Sequence, residues 1–351
     1  MSFLAKKVRT AVIGLGMGRY HVHNFAHCPD SELAAICDID KGKLAAIKAE
    51  YSVPRAVTKW EDVIAMDDID AVAVVLPNIL HRPVTIAAFR SGKHVLCEKP
   101  LAMDAGEAKD MVAAGHKAGR FLMVHFNQRF SPETQWLKRF VDEGGLGEVY
   151  YAKTGWIRRH GLPGLGGWFT TMAKSGGGAL IDIGVHALDL ALWYLGFPKM
   201  KEAMGSVYAK FGPEAARRQR KTFDVDDLAS AIVKFENGVT LTLEASWASN
   251  VQREEIYTEL LGTQAGAKRS LSDGISVYSE AAGGLIDSKP TSFTVPCESP
   301  QAHFARCILT GEEPIATGEQ GLEVMRILDA IYASAGGRTS VGKRGARAKG
   351  R

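Results

Sequence analysis

The chain has 351 residues, of which 46% are hydrophobic and 23% are charged, as in a soluble globular protein with room for two domains. No apolar run approaches the roughly 20 residues of a membrane span, and residues 1–10 hold no segment suited to export, which predicts a cytoplasmic protein with no membrane partner. Of the basic residues behind the net charge of +4, five lie in the last ten positions, and the rest of the chain has 38 basic and 39 acidic residues. A specific nucleic-acid partner is therefore not expected, and residues 342–351 are predicted to be a disordered basic tail.

The cysteines are odd in number and lack the paired short spacings of a zinc site or a disulfide framework. They predict neither. We expect all of them to be reduced thiols in the core: Cys28, Cys37, Cys97, Cys297 and Cys307.

The first predicted strand runs into a glycine-rich turn that opens a helix pattern. Gly14 permits a tight bend, Gly16 lets the backbone approach a pyrophosphate, and Met17 and Gly18 lead into a helix whose free N–H groups attract an anion. The turn is therefore predicted to bind a dinucleotide. Its spacing departs from G-x-G-x-x-G, because Arg19 stands where a third glycine or alanine is usual.

The second predicted strand ends in Asp38, about 20 residues after the glycines, where dinucleotide folds place a ribose-binding acid. Its carboxylate would accept the adenosine-ribose hydroxyls and repel a 2′-phosphate, which favours NAD over NADP. Lys41 and Lys43 follow closely and weaken that preference, so NADP stays open. Capping of the next helix is the alternative role for an acid here, and Asp40 suits it.

Apolar strands and helix patterns alternate over residues 1–125, which predicts a Rossmann domain, a doubly wound parallel sheet. Ligands bind beyond the carboxyl ends of strands in such sheets. The fourth strand leads to Pro77, Asn78 and His81, which we expect beside the cofactor, although His81 could equally be a helix-start residue. The predicted strands cover residues 8–13, 33–37, 54–57, 71–76, 94–97 and 121–125.

The fifth strand ends in Glu98-Lys99-Pro100. The end of a strand holds its side chains in a fixed position, so Lys99 can reach a ligand that lies across the sheet edge. We expect Glu98 to lie beside the cofactor. The alternative is an ordinary solvated exit from the strand. The rest of the chain decides between them.

The alternation of strand and helix patterns ends near residue 126, where we place a domain boundary. A strand predicted at 148–156 ends close to Arg158 and His160. With Trp156 they could stack on and hydrogen-bond to a polyhydroxylated ring, or they could be ordinary loop residues.

A second segment with candidate catalytic residues lies in a predicted helix that begins near Gly176 and continues to about Tyr194. Asp182 and His186 are four residues apart and share a helix face, so the carboxylate can orient the imidazole. A histidine among apolar residues is more often a satisfied core residue, but the aspartate one turn earlier favours a pocket wall. A metal site is disfavoured because the sequence places no third ligand there.

Taken in order, these motifs resemble the Gfo/Idh/MocA family, the glucose-fructose oxidoreductase and inositol dehydrogenase group, over residues 8 to about 341. The matching pieces are the glycine turn with His21, residues 37–40, Pro77-Asn78 with His81, Glu98-Lys99-Pro100, Gly147-Glu148-Val149 and residues 178–189. The resemblance implies that Lys99, Asp182 and His186 are the catalytic set. It also implies a second domain over residues 126–341 for substrate binding and oligomerisation, an α+β domain with a large, mostly antiparallel, open-faced sheet.

The resulting prediction is an NAD(P)-dependent dehydrogenase that moves a hydride between the nicotinamide and a CH–OH group of a sugar, cyclitol or related polyol. His186 would be the general base, Asp182 would orient it, and Lys99 would stabilise the developing alkoxide. Three alternatives stay open: an NADPH-dependent carbonyl reductase, a redox-neutral enzyme that uses bound NAD transiently, and a sensor that binds NAD(P) without turnover. A sheet with one open face also predicts a homodimer or homotetramer.

Overall fold

The computed structural model describes residues 7–337, which divide into two compact units. The first unit holds residues 7–127 and Glu298–Leu322, and the second holds residues 128–297 and 323–337. Residues 298–322 were predicted to belong to the second domain. In the structure they lie with the first unit, where the Val124 N–H donates to the Ala316 carbonyl at 2.9 Å. The predicted basic tail, 342–351, lies outside the described residues.

The first unit is built on a parallel sheet of six strands in the order β3-β2-β1-β4-β5-β6. The strands are β1 (Val8–Ile13), β2 (Ser31–Cys37), β3 (Arg55–Val57), β4 (Ala71–Val74), β5 (His94–Cys97) and β6 (Leu122–Val124). Every residue of β4 is buried, as expected of a central parallel strand covered on both faces. The order reverses direction at β1, so the exits of β1 and β4 adjoin at the edge where doubly wound sheets bind ligands. The predicted doubly wound sheet is confirmed.

Helices connect these strands: α1 (Gly18–His27), α2 (Lys41–Glu50), α3 (Trp60–Ile64), α4 (His81–Arg90) and α5 (Ala105–Ala118). The start of α2 is capped as the sequence predicts, because the Asp40 carboxylate accepts the N–H groups of Gly42 at 2.9 Å and Lys43 at 3.1 Å.

The second unit carries an eight-stranded sheet in the order β14-β13-β12-β11-β7-β10-β9-β8. Neighbouring strands are antiparallel except β7 and β10, which are parallel. Its elements in chain order are α6 (Pro132–Asp142), β7 (Val149–Ile157), α7 (Met172–Ser175), α8 (Val185–Tyr194), β8 (Met200–Tyr208), α9 (Gly212–Gln219), β9 (Leu228–Phe235), β10 (Thr240–Ser246), β11 (Glu255–Gly262), β12 (Ala265–Ser270), β13 (Gly274–Ala281) and β14 (Gly284–Ser288). Of the two helices that follow, α10 (Pro300–Thr310) belongs to the first unit, and α11 (Gly318–Ser334) begins in the first unit and continues in the second. The strands β8 and β14 and the helices α7 and α9 were not predicted from the sequence.

Within the part of the chain that the structure describes, one face of the second sheet packs on helices and the other is open. On the covered face, α8 contacts β7 and β11, and the Thr154 hydroxyl donates to the Ala187 carbonyl at 3.1 Å. Strands β9 and β10 alternate between buried and more exposed residues, and Met204 and Ile232 on the open face are 71% and 48% exposed. The predicted mostly antiparallel sheet with one uncovered face is confirmed.

All five cysteines are free thiols, and four of them are buried. The prediction of five core thiols is wrong for Cys297, which is exposed in the irregular segment between β14 and α10. Within residues 7–337, no helix is both long and apolar enough to cross a membrane.

Candidate active site

The glycine turn after β1 requires glycine at its first position. Gly14 has a φ of +94°, and a Cβ there would lie 2.0 Å from the Val75 carbonyl oxygen. A Cβ at Gly16 would meet no heavy atom within 4 Å, so the backbone is open to close approach at this point. The exposed Met17 precedes the first turn of α1. This open turn at a helix start fits a dinucleotide pyrophosphate.

The departure at position 19 has a structural explanation. A Cβ at Gly18 would lie 3.2 Å from Val12 Cγ1, so Gly18 itself lets α1 pack closely on β1. That is the task of the third glycine in the usual motif. Arg19 is exposed and donates to Glu50 on α2 at 2.8 Å.

Asp38 stands at the end of β2 and is tied to the glycine turn. Its Oδ2 accepts the Leu15 N–H at 2.7 Å, and its Oδ1 accepts the Asp40 N–H at 2.8 Å. Each carboxylate oxygen keeps a second lone pair for another donor. The half-buried carboxylate therefore fixes the turn and still has acceptor capacity for ribose hydroxyls.

The segment after β4 is more buried than the sequence analysis expects of a ligand-facing loop. Asn78 is 3% exposed and begins a short 3₁₀ turn after the half-buried Pro77. His81 is fully buried, with its ring nitrogens 2.8 Å from the Leu76 carbonyl oxygen and 2.9 Å from the Pro100 carbonyl oxygen. Burial lowers the pKa of His81, and these two backbone hydrogen bonds oppose that shift. The ring thus joins the segments that follow β4 and β5.

Glu98 and Lys99 leave the end of β5, and both are half-buried. The Glu98 carboxylate accepts hydrogen bonds from within the first unit: Oε1 lies 2.9 Å from His21 Nε2 and 2.8 Å from His125 Nδ1. Its Oε2 accepts the Lys99 N–H at 3.0 Å. The structure therefore gives the predicted cofactor residue Glu98 three protein partners.

In the helical segment that carries the second group of candidate catalytic residues, only two residues are not buried. Within residues 175–194, all of which the structure describes, every residue is buried except Asp182 and His186. Asp182 lies in a π-helical segment, Leu180–Gly184, that leads directly into α8, so the single regular helix of the sequence analysis is wrong here. The wider π turn often marks functional sites. The pair thus marks the accessible side of an otherwise buried segment.

Two tryptophans hold this pair. The Trp247 indole N–H donates to Asp182 Oδ2 at 2.9 Å, and Trp247 is fully buried in an apolar cluster that includes Ile183 and Ala245. The ring centroids of Trp156 and His186 are 5.6 Å apart. The sequence shows only that residue 247 follows a strand, so it gave no signal for this contact.

A buried carboxylate anchors the start of the segment. Asp226 accepts the N–H groups of Gly178 at 2.8 Å and Leu180 at 2.9 Å, and the Tyr332 hydroxyl at 2.8 Å. Burial raises the pKa of Asp226, and these hydrogen bonds oppose the shift. A Cβ at Gly178 would lie 1.8 Å from the Asp226 carbonyl oxygen, so only glycine fits.

The predicted ring-binding residues at the end of β7 are partly brought together. The Trp156 indole donates to Glu254 at 2.8 Å, and the Arg158 guanidinium lies 4.7 Å from the Trp156 ring and 3.4 Å from the same carboxylate. The exposed His160 lies beyond the strand. Glu254 was missed from the sequence because 98 residues separate it from Trp156.

A family comparison covers most of the chain. Residues 8–126 match the oxidoreductase family with an NAD-binding Rossmann fold, and residues 134–268 match the GFO/IDH/MocA C-terminal domain. Among curated proteins, the chain is similar to the D-glucoside 3-dehydrogenase of Escherichia coli (strain K12), with 33% identity over 93% of this chain and 95% of that protein. It is also similar to the scyllo-inositol 2-dehydrogenase (NAD(+)) of Bacillus subtilis (strain 168), with 29% identity over 89% of each chain.

Solved structures show the same fold. A levoglucosan dehydrogenase in complex with NADH superposes with a TM-score of 0.84 at 24% identity, covering 94% of this chain and 97% of that one. The aldose-aldose oxidoreductase from Caulobacter crescentus, complexed with glycerol, gives a TM-score of 0.80 at 28% identity over 94% and 98% of the two chains. With both halves of its sequence matched in order, the chain belongs to the Gfo/Idh/MocA family of oxidoreductases.

Proposed function

We propose that this protein is an NAD-dependent dehydrogenase that moves a hydride between the nicotinamide and a CH–OH carbon of a sugar, cyclitol or related polyol. The observation that carries the proposal is the isolated polar pair, Asp182 and His186, on an otherwise buried helical segment of a family oxidoreductase. Relatives named as dehydrogenases of D-glucosides, scyllo-inositol and levoglucosan support this substrate class.

NAD is the cofactor that the first unit fits. The turn at Gly14 and Gly16 would hold the pyrophosphate, and Asp38 would accept the adenosine-ribose hydroxyls. A 2′-phosphate would meet the same carboxylate, so NADP should bind more weakly. When bound, NAD supplies the hydride acceptor.

The chain itself supplies proton transfer and charge stabilisation. His186 takes the substrate hydroxyl proton as the hydride leaves the carbon. Asp182, held by the Trp247 indole, orients the imidazole and stabilises its protonated form. Lys99, at the end of β5, stabilises the developing alkoxide with its positive charge.

The substrate ring is proposed to meet the group at the end of β7. Trp156 offers a flat apolar face next to His186, and Glu254 and Arg158 offer acceptors and donors for hydroxyls. This combination of an aromatic face with charged hydrogen-bonding groups suits a polyhydroxylated ring better than a planar carbonyl compound. His160 is proposed to add a further hydrogen bond from the same end of the strand.

A substrate panel tests the function. Purified protein would be mixed with NAD or NADP and with glucosides, free aldoses, inositols and non-sugar alcohols, and reduced nicotinamide would be followed by its absorbance. NADH formation with a sugar or cyclitol is the expected result. Turnover confined to carbonyl reduction by NADPH would support the carbonyl reductase instead. NAD binding with no turnover on any substrate would support the sensor.

We also propose that the open face of the second sheet pairs with a second copy, giving a homodimer or homotetramer. Met204 and Ile232 are exposed on this face beside Thr240, Thr242 and Glu244. Sheets with an uncovered apolar and polar face commonly pair in symmetric oligomers. Ile232→Glu should shift the sedimentation coefficient to that of a monomer, and a wild-type protein that sediments as a monomer would contradict the proposal.

A further inference from the structure

Four polar side chains that are distant in the sequence form a closed ring of hydrogen bonds in the first unit. Glu98 Oε1 lies 2.9 Å from His21 Nε2 and 2.8 Å from His125 Nδ1. The Gln301 amide nitrogen lies 3.1 Å from His21 Nδ1 and 3.2 Å from His125 Nε2. The side chains of the two histidines are 1% and 5% exposed, and Gln301 is fully buried. We call these four residues the histidine ring.

The chemistry of the histidine ring defines where its protons lie. An ionised carboxylate only accepts, so His21 Nε2 and His125 Nδ1 must each donate to Glu98. The opposite nitrogens then accept, and the Gln301 amide supplies its two hydrogens to them. These bonds place the donating protons on different nitrogens of the two imidazoles, Nε2 in His21 and Nδ1 in His125. Burial and the nearby His125 lower the pKa of His21 to about 4, although the hydrogen bond and the charge of Glu98 oppose the shift, in keeping with a neutral imidazole at His21.

The charge on Glu98 is also favoured. Burial alone would raise the pKa of Glu98, but His125 and His21 outweigh it and hold that pKa well below its usual range. An ionised Glu98 keeps Oε2 as a strong acceptor for the Lys99 N–H at 3.0 Å.

The main chain on either side of Lys99 is fixed as well. The His125 N–H donates to the Cys97 carbonyl at 2.7 Å, and the Pro100 carbonyl oxygen lies 2.9 Å from His81 Nδ1. The main chain at residues 97, 99 and 100 is therefore held by three hydrogen bonds. Two of the partners are side chains, the Glu98 carboxylate and the buried His81 ring.

We propose that His21, Glu98, His125 and Gln301 are positioning residues that set the direction in which the Lys99 side chain leaves β5. This rests on the proposed role of Lys99 as the group that stabilises the alkoxide. The same set of histidine and carboxylate atoms could also hold a metal ion. The separations of 2.8 and 2.9 Å are ordinary hydrogen-bond lengths, and Gln301 satisfies the outer nitrogens, so the ring closes with protons alone.

Glu98→Gln is the decisive variant. A glutamine has one acceptor oxygen, so its NH₂ group must face either the Lys99 N–H or the two histidine N–H groups, and a donor meets a donor in both cases. Displacement of Lys99 should lower kcat about 10-fold to 100-fold, whereas KM for the sugar and Kd for NAD should stay within about twofold. Glu107→Gln is the matched control, because Glu107 also accepts a backbone N–H, from Met103 at 3.2 Å, and should leave kcat unchanged.

A pair of variants at Gln301 adds a readout that a purely structural role would not move. Gln301→Met and Gln301→Glu both remove the amide donor, but only the carboxylate favours protonated histidines. Protonated histidines still donate to Glu98, but their positive charge compensates the carboxylate and weakens it as the acceptor for the Lys99 N–H. The acid limb of the kcat–pH profile should therefore move to higher pH in Gln301→Glu and stay in place in Gln301→Met.

A measurement without turnover keeps the histidine ring separable from the proposed function. ¹⁵N NMR of the wild-type protein should show His21 protonated at Nε2 and His125 at Nδ1. Hydrogen exchange at the Lys99 amide should be slow and should accelerate in Glu98→Gln. If no sugar or polyol reduces NAD, the proposed function fails. The NMR spectra and the exchange rate would still show whether the histidine ring has the proposed hydrogen bonds.

Three results would overturn the positioning proposal. The first is the opposite tautomer at either histidine. The second is a Glu98→Gln variant with wild-type kcat and unchanged exchange at Lys99. The third is stoichiometric binding of Co²⁺, seen by its visible absorption and lost in His125→Asn, which would identify a metal site instead.

Discussion

The buried ion pair between Arg129 and Asp189 allows a sharp test of what holds α8 in place. Arg129 is fully buried and Asp189 is 1% exposed. The guanidinium donates to both carboxylate oxygens, through Nε to Oδ2 at 3.0 Å and through Nη2 to Oδ1. Asp189 lies on α8 less than one turn after His186, so the pair fixes the helix that carries the proposed base.

We expect Arg129→Met to lower the free energy of unfolding by about 3–5 kcal/mol, because it leaves a carboxylate buried without its cation. Burial already raises the pKa of Asp189 although Arg129 opposes the shift. Without Arg129 that pKa should rise further, so the folded variant holds a proton that the unfolded chain releases. Its stability should therefore improve as the pH falls toward the unfolded pKa of an aspartate, and the loss should be largest in neutral and alkaline buffer.

The double variant Arg129→Met/Asp189→Leu is the matched control, because it removes both charges and keeps apolar volume. Such replacements are often neutral or stabilising by about 1–4 kcal/mol, so most of the loss should return. Urea unfolding followed by far-UV circular dichroism measures both variants, and turnover of the double variant should match the wild type. A single variant that loses less than about 1 kcal/mol, or a double variant as unstable as the single, would refute this reasoning.

Three further predictions concern the proposed site. His186→Ala should lower kcat by about 100-fold to 10,000-fold without changing the Kd for NAD measured by fluorescence titration, and near-normal turnover would remove His186 as the base. Gly14→Ala should abolish NAD binding in calorimetry because its Cβ would lie 2.0 Å from the Val75 carbonyl oxygen, and Asp38→Ala should reduce the preference for NAD over NADP. In acid, the unfolded chain should bind a proton at His21 near its ordinary pKa of 6.5, whereas the folded pKa is about 4, so the free energy of unfolding should fall between these pH values. His21→Asn should weaken that pH dependence in urea unfolding, and an unchanged slope would contradict the shift.

The sequence by itself determined the architecture of the first unit and many of the polar residues of the proposed site, whereas the architecture of the second unit was implied by the family resemblance. Alternating apolar strands and helix patterns require a parallel sheet, and the strand-helix turn at Gly14 specifies an anion-binding loop, because these features depend on local periodicity and backbone freedom. The four-residue spacing of Asp182 and His186 likewise placed them together, although the π-helical segment changed the helix around them. Short strands such as β14 were missed because five residues carry little periodicity.

The tertiary structure alone decided which partners hold these residues. Trp247 reaches Asp182 across 65 positions, and Gln301 reaches His21 across 280, and no local pattern encodes such contacts. The return of residues 298–322 to the first unit, which brings Gln301 to the histidine ring, is a property of chain topology. Local physics sets the elements and the chemistry that they can carry. The packing of distant segments fixes protonation and orientation, because burial and hydrogen-bond partners exist only in the folded chain.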